Sequence, residues 1–175
     1  DHINGIQELL QNQKQGVEID ALVLPPEEYM DEKLLHLAEM AKENGTRVLT
    51  IYSGEEVGTY LKCIAPLATR KNECTRGRME AVPRLEAGNE ASVVLELKDG
   101  AFQMLLTGDL EGRGEEQLVE SGTLESCPIL KAGHHGSKNS GSEDFLQIVK
   151  PRLTLISAGI ENRYGHPHAE TLERL

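Results

Sequence analysis

The feature that most narrows what this chain can fold into is the dipeptide Asp99-Gly100, set between two runs of alternating apolar residues at 92–98 and 102–106. A two-residue β-turn needs positive φ angles that Asp-Gly adopts at little cost, so the segment predicts an antiparallel hairpin. The second strand of that hairpin runs straight into Thr107-Gly108-Asp109, which puts a carboxylate at the carboxyl end of a strand.

Around the hairpin, short apolar stretches alternate with amphipathic ones, the pattern of an α/β fold. Helical period is read at 3–15, at 31–44, at 115–121 ahead of Gly122, and from His168 onward. The second of these carries Leu34, Leu37, Ala38 and Ala41 on one face and Gly45 as its C-terminal cap, with His36 on the solvated side. Strands are read at 19–24, 47–52, 60–65, 128–132 and 153–157, and Ser140 with Glu143 predicts a capping box for a helix reaching Val149. Residues 66–88 read as a long irregular, solvated insert, and the stretch from Lys62 to Arg78 is locally cationic, with Lys62, Arg70, Lys71, Arg76 and Arg78 against the single acid Glu73.

With 175 residues and 38% hydrophobic content the chain predicts one core and one domain spanning 1–175, cut at both ends, since it opens on Asp1-His2 and closes inside an amphipathic helix. No apolar run approaches the roughly 20 residues that span a bilayer, so this segment is expected not to insert into a membrane. A formal charge of −11 opposes binding of a polyanion, but the cationic insert and any acids that hold cations soften the objection. Aromatic content of 3% argues against a base-stacking platform, so a nucleic acid would be held by its backbone. Cys63, Cys74 and Cys127 lack Cys-x-x-Cys spacing, which predicts buried free thiols rather than a zinc site or a Cys63–Cys74 bridge.

Chemistry concentrates in four places: Asp1-His2, Asp109, His134-His135 and His166-Pro167-His168, which hold five of the six histidines. Each falls in a loop after a predicted strand or before a helix, where side chains from different loops converge. Neutral imidazole and carboxylate are the donors that zinc, manganese and iron accept, and a carboxylate can bridge two cations about 3.5–4 Å apart. Consecutive residues on an extended strand point to opposite sides, so one of His134 and His135 is expected to ligate while the other meets water or substrate phosphate.

Asp1-His2-Ile-Asn-Gly resembles the end of the His-x-(His/Asp)-x-Asp-His-x-x-Gly signature of the metallo-β-lactamase superfamily. Thr-Gly-Asp, Leu-Lys-Ala-Gly-His-His-Gly-Ser and Arg-Tyr-Gly-His-Pro-His, in that order after Asn89-Glu-Ala-Ser-Val-Val-Leu, are similar to the hydrolase domain of the ComEC/Rec2 competence family, across essentially the whole chain. The resemblance implies a four-layer αββα sandwich holding two divalent ions, zinc or manganese. It implies ligands among Asp1, His2, Asp109, His134, His135, His166 and His168, with Asp109 bridging, His166 favoured over His168, and Asp1, Asp109 and His135 as the catalytic group. The first half of the signature, which supplies ligands to the first metal, is not found ahead of Asp1.

The implied activity is hydrolysis of a phosphodiester such as single-stranded DNA, with Ser137, Lys138 and Arg163 on phosphate oxygens. The implied setting is a soluble domain tethered to a membrane channel, outside the cytoplasm. Two other readings share these residues: a same-fold hydrolase of another ester, such as a lactonase, thioesterase or phosphorylcholine esterase, and a degenerate domain that binds DNA or a partner without turnover.

Overall fold

Leu10, Leu22, Leu24, Leu37, Ala38 and Ala41 bury their apolar faces against one another around a β–α–β crossover. The computed structural model describes residues 3–12, 17–68 and 85–175, which fall into two compact units meeting in sequence between Ile51 and Tyr52. In the first unit α1 (Ile3–Gln11) precedes β1 (Ala21–Leu24), α2 (Glu32–Glu43) and β2 (Arg47–Thr50), and the two strands pair in parallel, Leu22 beside Val48. Asp31 starts α2 by accepting the Leu34 N–H at 2.8 Å. At the other end Gly45, at φ 81°, donates to the Lys42 carbonyl while Thr46 donates to that of Ala41, the paired bonds of a Schellman close. Leu37, Ala38 and Ala41 bury their face against Leu10, Leu22 and Leu24, and His36 is exposed.

The second unit is a six-stranded sheet in the order β3 (Glu56–Val57), β4 (Leu61–Ala65), β5 (Val94–Asp99), β6 (Phe102–Leu106), β7 (Ile129–Lys131), β8 (Leu153–Leu155). The hairpin anticipated at Asp99-Gly100 is present, with Asp99 opposite Phe102 and Gly100 at φ 56°. Pairing is antiparallel from β3 to β6 and parallel from β6 to β8. The parallel connections need crossovers, and α3 (Gly112–Glu120) and α4 (Glu143–Val149) supply them. Leu118 of α3 and Phe145 and Val149 of α4 share one core with Ile64, Val94, Leu105 and Leu130 of the sheet. A last helix, α5 (Ala169–Arg174), follows with His168 at its N-cap position.

Several elements differ from expectation. The two-residue strand β3 is too short to show a period, and α3 starts at Gly112, three residues before the amphipathic stretch. The cap of α4 is Ser142, whose hydroxyl accepts from the Phe145 N–H, and not Ser140. The Ser140 hydroxyl is buried and turned to the carbonyls of Gly133 and Ser137 instead. Cys63 and Cys127 are buried free thiols, while Cys74 and the basic residues Arg70, Lys71, Arg76 and Arg78 lie outside the described residues. No helix among the described residues is long and apolar enough to cross a membrane.

Candidate functional site

Three consecutive parallel strands deliver three loops to the same end of the sheet. Asp109 comes three residues after β6, His134 three residues after β7, and the 158–168 segment follows β8. The loops are in contact without spare room. A Cβ on Gly133 would lie 2.6 Å from the Leu110 carbonyl oxygen, and one on Gly136 would lie 2.7 Å from Pro167 Cβ. Glu115, only 4% exposed, braces the assembly from behind by accepting the N–H groups of Gly141 and Ser142, both at 2.7 Å.

His134 and His135 are not extended. Both sit in the left-handed region, at φ 41° and 56°, inside the turn Gly133–Gly136. Two consecutive non-glycine residues there store about 1–3 kcal/mol each, and tertiary bonds hold them: His134 N–H to the Gly108 carbonyl and His168 N–H to the Gly136 carbonyl. The alternation expected of a strand is therefore absent, and the two rings turn toward a common centre with His166. Ring centroids lie 6.1 Å apart for His134 and His135, 5.2 Å for His134 and His166, and 6.4 Å for His135 and His166.

Hydrogen bonds assign which nitrogen of each ring carries the proton. His135 Nδ1 lies 2.6 Å from the Ser157 carbonyl oxygen, which only accepts, so Nδ1 donates and the Nε2 lone pair faces the Asp109 Oδ1 atom at 3.6 Å. His134 Nδ1 lies 2.8 Å from Glu111 Oε2, which assigns it the same tautomer. His168 has the opposite one: its Nδ1 accepts the Lys138 N–H at 3.2 Å, so the neutral ring bears its proton on Nε2 and presents a donor there.

Glu111 is the residue that sequence reasoning missed. Its Oε1 accepts from Asn89 Nδ2 at 3.0 Å and its Oε2 from Ser137 Oγ at 2.9 Å, besides His134. Burial pulls its carboxyl pKa upward, but the bonds from Asn89, His134 and Ser137 outweigh that and hold it below the ordinary value. Asn89 arrives because α3 presses on the turn Asn89–Ala91: a Cβ on Gly114 would lie 1.9 Å from the Glu90 carbonyl oxygen.

Ser137, expected on substrate, is 4% exposed and committed to Glu111, so it supports the His134 partner and does not face solvent. Lys138 and Arg163 are exposed at the edge of the cluster. Lys131, also missed, donates its ammonium to the carbonyls of Gly108 and Ala132. Burial lowers its pKa and the Asp109 charge partly restores it.

His166 is placed by its loop. Asn162 Nδ2 donates to the carbonyls of Gly159 and His166, at 2.8 and 2.6 Å, while Asn162 Oδ1 accepts the N–H groups of Tyr164 and His166, at 3.2 and 3.0 Å. Burial lowers the His166 pKa first, and the neighbouring His134, His168 and His135 lower it further. Asp1 and His2 lie outside the described residues. A cavity of about 370 Å³ elsewhere in this unit, lined by Tyr60, Lys62, Glu96, Lys98 and Glu125, shares no residue with the histidines.

Among the described residues no group of three or more His, Cys, Asp or Glu side chains is drawn together as a metal cage. The donor chemistry nevertheless fits divalent ions. Ligating histidines give their second nitrogen to a carboxylate or a backbone carbonyl, as His134 and His135 do with Glu111 and Ser157. Two ligand atoms of one tetrahedral ion with bonds of about 2.0–2.2 Å lie about 3.3–3.6 Å apart, which is the separation between His135 Nε2 and Asp109 Oδ1.

No protein-family model matches the chain. It is 33% identical, over its whole length, to ComE operon protein 3 of Bacillus subtilis, of which it covers 21%. Over 51% of the chain it is 42% identical to Recombination protein 2 of Haemophilus influenzae, and over 45% it is 44% identical to Competence protein ComA of Neisseria gonorrhoeae. Those alignments cover 11% and 12% of the two relatives. The chain's homologues are thus competence proteins of the ComEC family, and it corresponds to one segment, about a fifth or less, of those longer proteins.

Proposed function

We propose that the chain carries a metal-dependent hydrolase centre for phosphodiester bonds, with DNA handled during uptake as the substrate. One observation above all supports this: His135 Nε2 meets the Asp109 carboxylate at 3.6 Å while its Nδ1 is anchored on a backbone carbonyl. The relatives' names, competence and recombination proteins, support DNA over other esters. The six-stranded mixed sheet with helices against one core is consistent with one half of a four-layer αββα sandwich of the metallo-β-lactamase kind.

On this reading Asp109, His134, His135 and His166 hold divalent ions, zinc or manganese. When bound, such ions supply a water deprotonated near neutral pH and charge to stabilise the leaving oxygen. Glu111 keeps His134 in the tautomer with its lone pair on Nε2, and Ser157 does the same for His135. His168, with its proton on Nε2, orients substrate as a hydrogen-bond donor rather than as a ligand. Lys138 and Arg163 contribute positive charge at the rim. The parent protein places this segment beside a membrane channel, outside the cytoplasm.

The test is hydrolysis of single-stranded DNA with manganese or zinc by the complete domain, alongside nitrocefin, a thioester and phosphorylcholine esters. Cleavage of DNA that is lost in Asp109→Ala is the expected result. Equal rates in both proteins end the proposal, and turnover confined to another ester assigns the site to a different hydrolase class.

A further inference from the structure

We propose that Tyr164 is a positioning residue that holds the Arg163 guanidinium beside the histidine cluster as the contact for a substrate phosphoryl oxygen. The inference rests on the phosphodiester reading and goes beyond it in naming how the anionic group is gripped. Arg163 Nη2 donates to the Tyr164 hydroxyl, and the guanidinium carbon lies 4.8 Å from the centre of the Tyr164 ring. That ring is in turn stacked on His166, with centroids 5.8 Å apart and planes inclined by 26°. Arg163, Tyr164 and His166 thus form one connected ladder, and its inner end is a member of the histidine cluster.

Two other cations of this region are engaged differently. The Lys131 ammonium binds the carbonyls of Gly108 and Ala132, and the Arg174 guanidinium binds those of Lys138, Ser140 and Gly141. Those groups tie loops together. Among the described residues Arg163 pairs with a neutral hydroxyl and with no carboxylate, so its charge is not cancelled.

A guanidinium has five N–H donors, and the bond to the phenol engages one of its nitrogens. The donors that remain match the geometry of phosphate oxygens. An unrestrained arginine loses rotamer freedom when it is immobilised, and the hydroxyl bond and ring contact remove part of that loss before substrate arrives. Tyr164 is 58% exposed, which leaves the ladder open to solvent at its outer end. Asn162, with four hydrogen bonds across the same loop, fixes the backbone that carries it.

The experiment uses the full chain with fluorescein-labelled oligothymidylate in EDTA, read by anisotropy over a range of salt, so that no metal is needed for the signal. Removing one cationic contact to a single strand lowers the magnitude of the salt slope by about 0.7; Arg163→Ala is expected to do so and to weaken binding about five- to tenfold. Tyr164→Phe keeps the ring on His166 and loses the hydroxyl, so it is expected to lose part of the affinity. The double variant Arg163→Ala/Tyr164→Ala is expected to be no weaker than Arg163→Ala alone. With metal, KM for bis(p-nitrophenyl) phosphate rises by a larger factor than kcat falls in these variants.

A wild-type slope and affinity in Arg163→Ala overturn the phosphoryl contact, and additive effects of the two substitutions overturn the tether. Those outcomes leave the hydrolase reading standing. Failure of the wild-type protein both to bind the oligonucleotide and to cleave the diester refutes the phosphodiester reading and this inference together.

Discussion

Replacing Asn162 with Asp exchanges one atom of a side chain that satisfies four backbone groups of the loop carrying His166. The two bonds accepted by Oδ1 survive. The two donated by Nδ2 do not, and a carboxylate oxygen then faces the carbonyls of Gly159 and His166 across spacings of 2.8 and 2.6 Å. Each lost bond is worth about 0.5–1.5 kcal/mol net, so the loop is destabilised by about 1–3 kcal/mol before acceptor–acceptor repulsion is added. Because every 1.4 kcal/mol is tenfold in an equilibrium, local opening becomes about 5- to 150-fold more frequent. Amide hydrogen exchange reads this directly: the Tyr164 and His166 amides accelerate by that factor, while amides of β6, in the centre of the sheet, keep the wild-type rate. Exchange at Tyr164 and His166 within twofold of wild type would refute the argument that this one amide positions His166.

Gly133→Ala drives a methyl group to 2.6 Å from the Leu110 carbonyl oxygen, so it is expected to cost about 1–3 kcal/mol as an overpacking change, read as a lower denaturation midpoint. An unchanged midpoint would show that the two loops separate freely. Glu111→Gln removes the charged partner of His134 Nδ1 and is expected to weaken zinc or manganese retention about 10- to 100-fold in equilibrium dialysis; wild-type retention would remove Glu111 from the site.

Burial pushes the Cys63 thiol up to about 12 and raises that of Cys127, so in a Cys74→Ser background neither reacts with Ellman's reagent at pH 8 until guanidinium is added. The native state retains the Cys63 proton that the unfolded chain releases near the ordinary value of 9.0, so this thiol's contribution to stability is present below that pH and is lost as pH rises toward about 12. Titration of both thiols in the native protein at pH 8 would contradict the burial of Cys63 and Cys127.

What the amino-acid order discloses here is governed by how local each determinant is. The hairpin at Asp99-Gly100, the glycine cap of α2 and the gathering of Asp109, His134, His135 and His166 at strand ends are legible because turn chemistry and strand-to-loop position are properties of neighbouring residues. Glu111 is not. Only the packing of α3 against the Asn89–Ala91 turn brings Asn89 and Ser137 onto its carboxylate, bonds that span 22 and 26 residues. The conformation of His134 and His135 escaped for a related reason: non-glycine residues rarely adopt positive φ, and the bonds that impose it come from Gly108 and His168. The capping box at Ser140 misled because Ser142 competes for the same helix start, and the buried carbonyls of Gly133 and Ser137 claim the earlier hydroxyl.

The placement of the three loops after three successive parallel strands bears on how the molecule acquires its chemistry during folding. Local pairs such as β5 with β6 close early, whereas contacts between distant parts of a chain must first overcome loop-closure entropy. The bonds that orient the rings join residues 22 to 30 positions apart, the longest of them between Lys138 and His168. A partly folded chain therefore has the hairpin but no oriented imidazoles, and a nascent chain halted before residue 157 lacks the carbonyl that anchors His135 however well its earlier strands have formed.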